Sequence, residues 1–309
     1  MLRGSLPSSD PAPLPWLTEF ASEFAPDVFV PGAAAAMAPG LAVVAQRIGC
    51  RRDLAQELGC GESLGVDLAH AAVNTLLACG ALPQVAALHV VAPADAELPI
   101  AIVAGITNAC RAHGVPIVLP LAAASGGHEH IGLVLTGTVL GKPRAAGAPG
   151  DVVLALRGRG ATDSDLATML ARADELGCTL GDRLANGDTV GATLLAPRPS
   201  QVGVVQQPLR EQWPAQLLAV DGQALVPTLR RALPANVDVE WTFAGWRPPA
   251  PFAEWFPGPD GARRAAETTS FGCSMLVLAT EAEATRWVKL CTAWNEPATP
   301  IGRLVAAGG

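Results

Sequence analysis

One stretch, GVDLAHAAVNTLLACGALPQ (Gly65–Gln84), constrains the fold more than any other part of the chain. Leu68, Ala72, Leu76 and Leu77 recur at helical spacing and form an apolar stripe, and Gly80 with Pro83 supplies a stop signal. The helix is therefore predicted over Leu64–Cys79, with Asp67 placed to cap its first turn. Asp67, His70 and Asn74 fall at i, i+3 and i+7, so three polar groups share one face of a helix that is otherwise small and apolar. Such a face either satisfies neighbouring backbone or points at a ligand, and spacing does not separate the two.

The rest of the chain allows a large core. Half of the 309 residues are apolar and 16% are charged, which accommodates two modest domains. A net charge of −7 with scattered Lys and Arg argues against nucleic acid or an anionic membrane as partner. Apolar runs such as Val152–Leu156 are too short to span a bilayer. The N-terminal MLRGSLPSSDPAPLPW lacks the continuous apolar core of a signal peptide. Seven scattered cysteines without a C-x-x-C pair read as reduced thiols, Cys79 and Cys110 as small core residues, and the expected setting is the cytoplasm.

Residues 1–20 read as a flexible tail, and PGAAAAMAPG up to Gly40 as a mobile loop or a short helix. Strands are predicted at Leu41–Gly49, Gln84–Pro93, Val115–Leu121 and His130–Gly141, with a helix at Leu98–His113 closed by Gly114. Pro and Gly cluster over Lys142–Asp151, dividing the chain into domains at 21–145 and 146–309. Beyond it come a strand at DVVLALRGRG, a helix at DSDLATMLARADELGC capped by Asp163 or Ser164, and strand and helix segments that continue to Cys291. The order fits two α/β domains with mixed sheets, an α/β (α+β) class.

Gly65, Asp67, Leu68, Val73, Asn74, Gly80, Ala81 and Pro83 match the motif G-I-D-L-V-A-M-x-V-N-D-x-x-x-x-G-A-E-P of the AIR synthase family (phosphoribosylformylglycinamidine cyclo-ligase), which this chain resembles. Thr75 and Leu82 depart from it. Gly150–Leu156 is similar to the family's G-D-V-L-I-A-L, Leu194–Pro197 to its L-L-x-P, Ser270–Ala279 to its T-F-N-x-G-V-G-M-I-I-A, and Pro300–Gly302 to its late I-G strand. The resemblance covers roughly residues 40–305. It implies a two-domain AIR-synthase-like fold, an N-terminal mixed-sheet domain that dimerises through its strands and a C-terminal α/β domain. It implies, too, a homodimer, an ATP-dependent ring-closing reaction in purine biosynthesis, and ATP with Mg²⁺ as cofactors wherever that activity survives.

The resemblance assigns site positions one by one. Asp67 and Asn74 take the catalytic places, and Gly49, Arg51, Gly158, Gly160 and Gly222 the nucleotide-binding ones. Yet the family's T-D-G-V-G-T-K becomes AQRIGCR (Ala45–Arg51), with Gln46 for the Asp and Arg47 for the first Gly. V-G-G-E-T-A-E-M becomes VLPLAAAS (Val118–Ser125), without either Glu. S-S-G-P-H-S-N-G becomes GRGATDSD (Gly158–Asp165), and L-T-G-G-G becomes VDGQA (Val220–Ala224). Carboxylates hold Mg²⁺ and close-approaching glycine amides hold phosphate, so these replacements remove the means of holding Mg·ATP.

Three readings follow: a non-catalytic or repurposed relative, holding at most a phosphate-bearing small molecule through Arg47, Arg51, Asp67 and Asn74; a working, diverged cyclo-ligase; or a subunit that pairs with an intact paralogue. Further candidates are a two-His metal site at His128-Glu129-His130, a His70 bonded to Asp67, and a Gly158-x-Gly160 turn of dinucleotide type. The six Trp after residue 212 suit core, interface or an aromatic pocket.

Overall fold

The computed structural model describes residues 35–38, 40–92, 97–124, 130–140, 147–243, 246, 248, 252–258, 260–270 and 272–307. The first 34 residues, including the expected tail, lie outside these, as do His128 and Glu129. Strands β1 (Ala35–Ala38), β2 (Leu41–Arg47), β3 (Ala81–Ala92), β4 (Ile117–Ala124) and β5 (His130–Val139) form one sheet in the order β1-β2-β5-β3-β4. All neighbours are antiparallel except β3 and β4. The segment expected as loop or helix up to Gly40 is thus partly a strand. Small residues carry little preference of their own, and pairing of Ala35–Ala38 with Leu41–Val44 decides the conformation.

Helices α1 (Arg51–Glu57), α2 (Gly61–Ala78) and α3 (Glu97–Ala112) belong to this half. The predicted helix begins a turn earlier than expected, because its first turn packs on α3. A Cβ at Gly61 would lie 2.9 Å from Ala101 Cβ and from Leu98 Cδ1. The two helices then approach backbone to backbone: a Cβ at Gly65 would lie 2.0 Å from Ile102 O, and one at Gly105 2.0 Å from Glu62 O. Asp67 accordingly sits in the second turn and is no cap. Gly80 ends α2 in the left-handed conformation, φ +74°.

The second sheet has the order β7-β9-β6-β10-β8, from β6 (Val152–Arg157), β7 (Ala215–Ala219), β8 (Val237–Trp241), β9 (Cys273–Ala279) and β10 (Ala298–Ala306), all antiparallel. Its helices are α4 (Asp163–Glu175), α5 (Val190–Leu194), α6 (Val202–Arg210), α7 (Leu225–Ala232), α8 (Gly261–Thr268) and α9 (Glu281–Ala293). Strand β9 is buried along its whole length, as a strand covered on both faces must be. On one face Leu154, Met275 and Val277 join Leu64, Leu68 and Leu76 of α2 in one core. On the other, Val153, Leu276 and Leu278 meet Leu225 and Leu229 of α7 and Trp246. Most of the late tryptophans serve packing: Trp246, Trp255 and Trp287 are buried, while Trp294 is exposed. Cys110 is buried in the core as expected, and Cys79 partly so.

The cap of α4 is neither Asp163 nor Ser164. Thr162 Oγ1 accepts from Asp165 N, and the Asp165 carboxylate accepts from Thr162 N, a reciprocal capping box. Asp165 also accepts from Ser270 N and Oγ, which satisfies a carboxylate with no exposure at all.

Candidate functional site

The polar face of α2 does not open on solvent. It meets the segment that links α5 to α6, and every polar group on it finds backbone or a charge there. Asp67 is 1% exposed. Its Oδ1 accepts from Arg198 N at 2.7 Å and Arg198 Nε at 2.9 Å, and its Oδ2 from Arg198 Nη2 at 2.9 Å and from Arg51 Nη2. Four donors fill the acceptor positions of one carboxylate. Burial alone would push this carboxyl up. The Arg198 and Arg51 charges, with the hydrogen bonds from Arg198, outweigh it and hold the group well below the usual carboxylate range.

The two arginines are as fully engaged as their partner. Arg51 is 4% exposed; its Nη1 donates to Ala161 O at 2.6 Å, and its backbone N and Nε donate to Asp163 Oδ1 at 3.0 and 3.3 Å. Arg198 Nη1 reaches Asp221 Oδ1 at 3.0 Å, and Asp221 Oδ2 accepts from Gln46 Nε2 at 2.7 Å. Gln46, Asp221, Arg198, Asp67, Arg51 and Asp163 thus form one chain of hydrogen bonds. It joins β2, α1 and α2 to the start of α4, the α5–α6 link and the loop after β7.

Asn74 and His70 complete the face. Asn74 Nδ2 donates to Pro199 O at 3.0 Å and its Oδ1 accepts from Gln201 N at 2.9 Å. His70 is not bonded to Asp67, whose acceptors the arginines occupy; its Nδ1 lies 2.7 Å from Arg198 O. That oxygen is an acceptor, so Nδ1 carries a proton. Burial lowers the His70 pKa, against the pull of the Arg198 carbonyl and of the Asp67 charge. The ring packs at 5.4 Å from that of His113, which burial and the neighbouring His70 also push down.

The glycines assigned to a nucleotide serve the chain's own close approaches. A Cβ at Gly49 would lie 2.0 Å from Asp163 Oδ2, one at Gly158 2.7 Å from the Cys273 carbonyl carbon, and one at Gly160 1.7 Å from Ala196 O. Gly158 N already donates to Gly272 O at 2.8 Å, so this amide is not available to a dinucleotide. Gly222 differs: its φ is +73° and open space surrounds the position of a Cβ. The structure therefore gathers Asp67, Asn74, Arg51, Gly49 and Gly160 around one centre. Arg47, at the exposed end of β2, stands outside the hydrogen-bonded chain.

Sequence reasoning missed Arg198, Asp163 and Asp221. The signal for Arg198 was its place in Pro197-Arg198-Pro199, a long cation held between two prolines just after the L-L-x-P segment. Among the described residues no three His, Cys, Asp or Glu side chains are grouped to hold a metal ion, and no helix is long and apolar enough to cross a membrane.

No family model matches the sequence. Solved structures do match over nearly the whole chain. Thiamine-monophosphate kinase from Stenotrophomonas maltophilia K279a is similar with TM-score 0.64 at 20% identity, over 95% of this chain and 93% of that one. PurL from Thermotoga maritima, complexed with FGAR, gives 0.60 at 16% identity, over 94% of this chain and 47% of PurL. A chain of a HypE–HypF complex gives 0.57 at 15% identity, over 94% and 93%.

Proposed function

We propose that this chain, which has the AIR-synthase-like fold of those three proteins, is a repurposed relative that does not turn over Mg·ATP. The observation that carries this is the saturation of Asp67. A hard divalent cation needs carboxylate lone pairs, and those of Asp67 are committed to the Arg198 backbone N–H and to two buried guanidiniums whose positive charge would repel the ion. Gln46, at the place of the family's acidic loop, brings no charge and donates its amide to Asp221. Gly49, Gly158 and Gly160 are filled against by the protein itself. The residues present do not fit Mg·ATP, and no reaction step is derived through it. The former catalytic Asp67 and Asn74, in this reading, fasten the two halves of the chain, taken as residues 21–145 and 146–309.

Calorimetric titration of the full chain with Mg·ATP tests the proposal. No heat of binding is expected; micromolar binding abolished by Asp67→Asn would overturn it.

We infer further that the protein self-associates through the N-terminal strands. Leu41, Val85 and Val118 are exposed on one face of the first sheet, opposite the face covered by α2 and α3. Light scattering after size exclusion should give twice the chain mass, and Leu41→Asp with Val85→Asp should halve it. We place the protein in the cytoplasm, in keeping with seven free cysteines.

A further inference from the structure

The open face of the first sheet carries a second polar cluster, outside the Asp67 centre. Arg47 on β2, Gly132 on β5 and His89 on β3 are directly opposed across three adjacent strands. Two long polar side chains therefore flank a residue that has none. His130 lies two residues before Gly132 and so on the same face. A Cβ at Gly132 would sit 3.1 Å from His130 Nε2, so this imidazole lies across the gap. Ala45 and Val134 add apolar wall to a hollow of about 390 Å³.

Two features make the hollow more than a gap in the surface. Arg47, His89 and His130 have no hydrogen-bond or ion-pair partner among the described residues, although most other arginines of the chain do. Among the described residues no Asp or Glu lines the hollow, in a chain whose net charge is −7. Three side chains from three strands thus bring unpaired N–H donors to one place, one of them permanently charged. Donors without acceptors around a partly apolar hollow are the complement of a negatively charged oxygen cluster.

We propose that this hollow binds the oxyanion group of a small molecule, a phosphate, sulfate or carboxylate, through Arg47, His89 and His130. The inference does not rest on the reading of Asp67, since it uses none of the same side chains. The hollow shares the open face with Leu41, Val85 and Val118 and lies at the end of β2 away from Leu41.

The test uses the full chain, its imidazole ¹H–¹⁵N signals, and titration with sodium phosphate, sulfate or acetate at constant ionic strength. Phosphate or sulfate should shift the His89 and His130 signals saturably, with a midpoint of about 1 mM, and leave those of half-buried His70 and His113 in place. Acetate binding more tightly than phosphate would assign the carboxylate class within the same proposal. Arg47→Gln should weaken binding about tenfold, the loss of one charge-assisted contact, with the His70 and His113 signals unchanged as proof of folding. Absence of a saturable shift at His89 and His130, or equal affinity in Arg47→Gln, overturns the proposal.

Discussion

Replacing Asp67 by Asn removes one negative charge and little volume, and the consequence can be worked from the geometry. Arg51 and Arg198 are 4% and 6% exposed, and each donates to Asp67. Arg198 keeps Asp221, and Arg51 keeps Asp163, but both of these carboxylates are partly solvated, at 27% and 38% side-chain exposure. The variant therefore leaves two guanidiniums in a dry centre with weaker compensation. Removing one partner of a buried ion pair costs about 3–5 kcal/mol. For a chain of this length each kcal/mol lowers Tm by about 2 °C, so a fall of about 6–10 °C is expected. The pH dependence gives a second handle. The folded carboxyl titrates below its unfolded value, so its contribution is complete above the unfolded pKa of about 3.9 and is lost as pH falls further. Thermal unfolding followed by circular dichroism should show a constant gap between the two proteins from about pH 5 to 8, closing below about pH 4. Because the pair is buried, added salt should narrow the gap little. A Tm within about 2 °C of the parent at neutral pH, or a gap abolished by salt, would refute the reasoning.

The glycines make a paired prediction. Gly160→Ala combines a left-handed backbone with a collision at Ala196 O and should cost well over 2 kcal/mol, on the order of a strained core change. Gly222→Ala meets only the backbone term, about 1–2 kcal/mol; urea denaturation ranks the two, and equal losses would contradict the packing described. His70, whose folded pKa lies below its unfolded one, makes the protein less stable as pH falls through about 6.5, since the unfolded chain then binds the extra proton. His70→Gln should flatten the stability profile between about pH 7 and 5, and an unchanged slope would show that folding leaves the pKa of the ring where it is in the unfolded chain.

Legibility in the sequence followed the strength of local patterns. The α2 helix, the β5 alternation and the α4 helix are written in their own residues, so periodicity finds them. The β1 strand is not, because Ala35–Ala38 take their conformation from a partner. Helix α6 hides for a related reason: Gly203 and Pro208 weaken its propensity, and burial of Val204, Val205 and Pro208 holds it. The site divided along the same line. Spacing put Asp67, His70 and Asn74 on one face, but their partners at 198–201 lie more than 120 residues away, and no local pattern announces such a pairing. Family likeness named Asp67 as a place of chemistry, while the sign of its surroundings depended on one arginine between two prolines.

The linked charges also bear on motion. Separating the two halves would pull Arg198 from α2 and Arg51 from the loop after β6, exposing three ions together with the carbonyls that His70 and Asn74 hold. A hinge that must release so many charged contacts at once has no cheap intermediate, so the two halves are expected to move as one body.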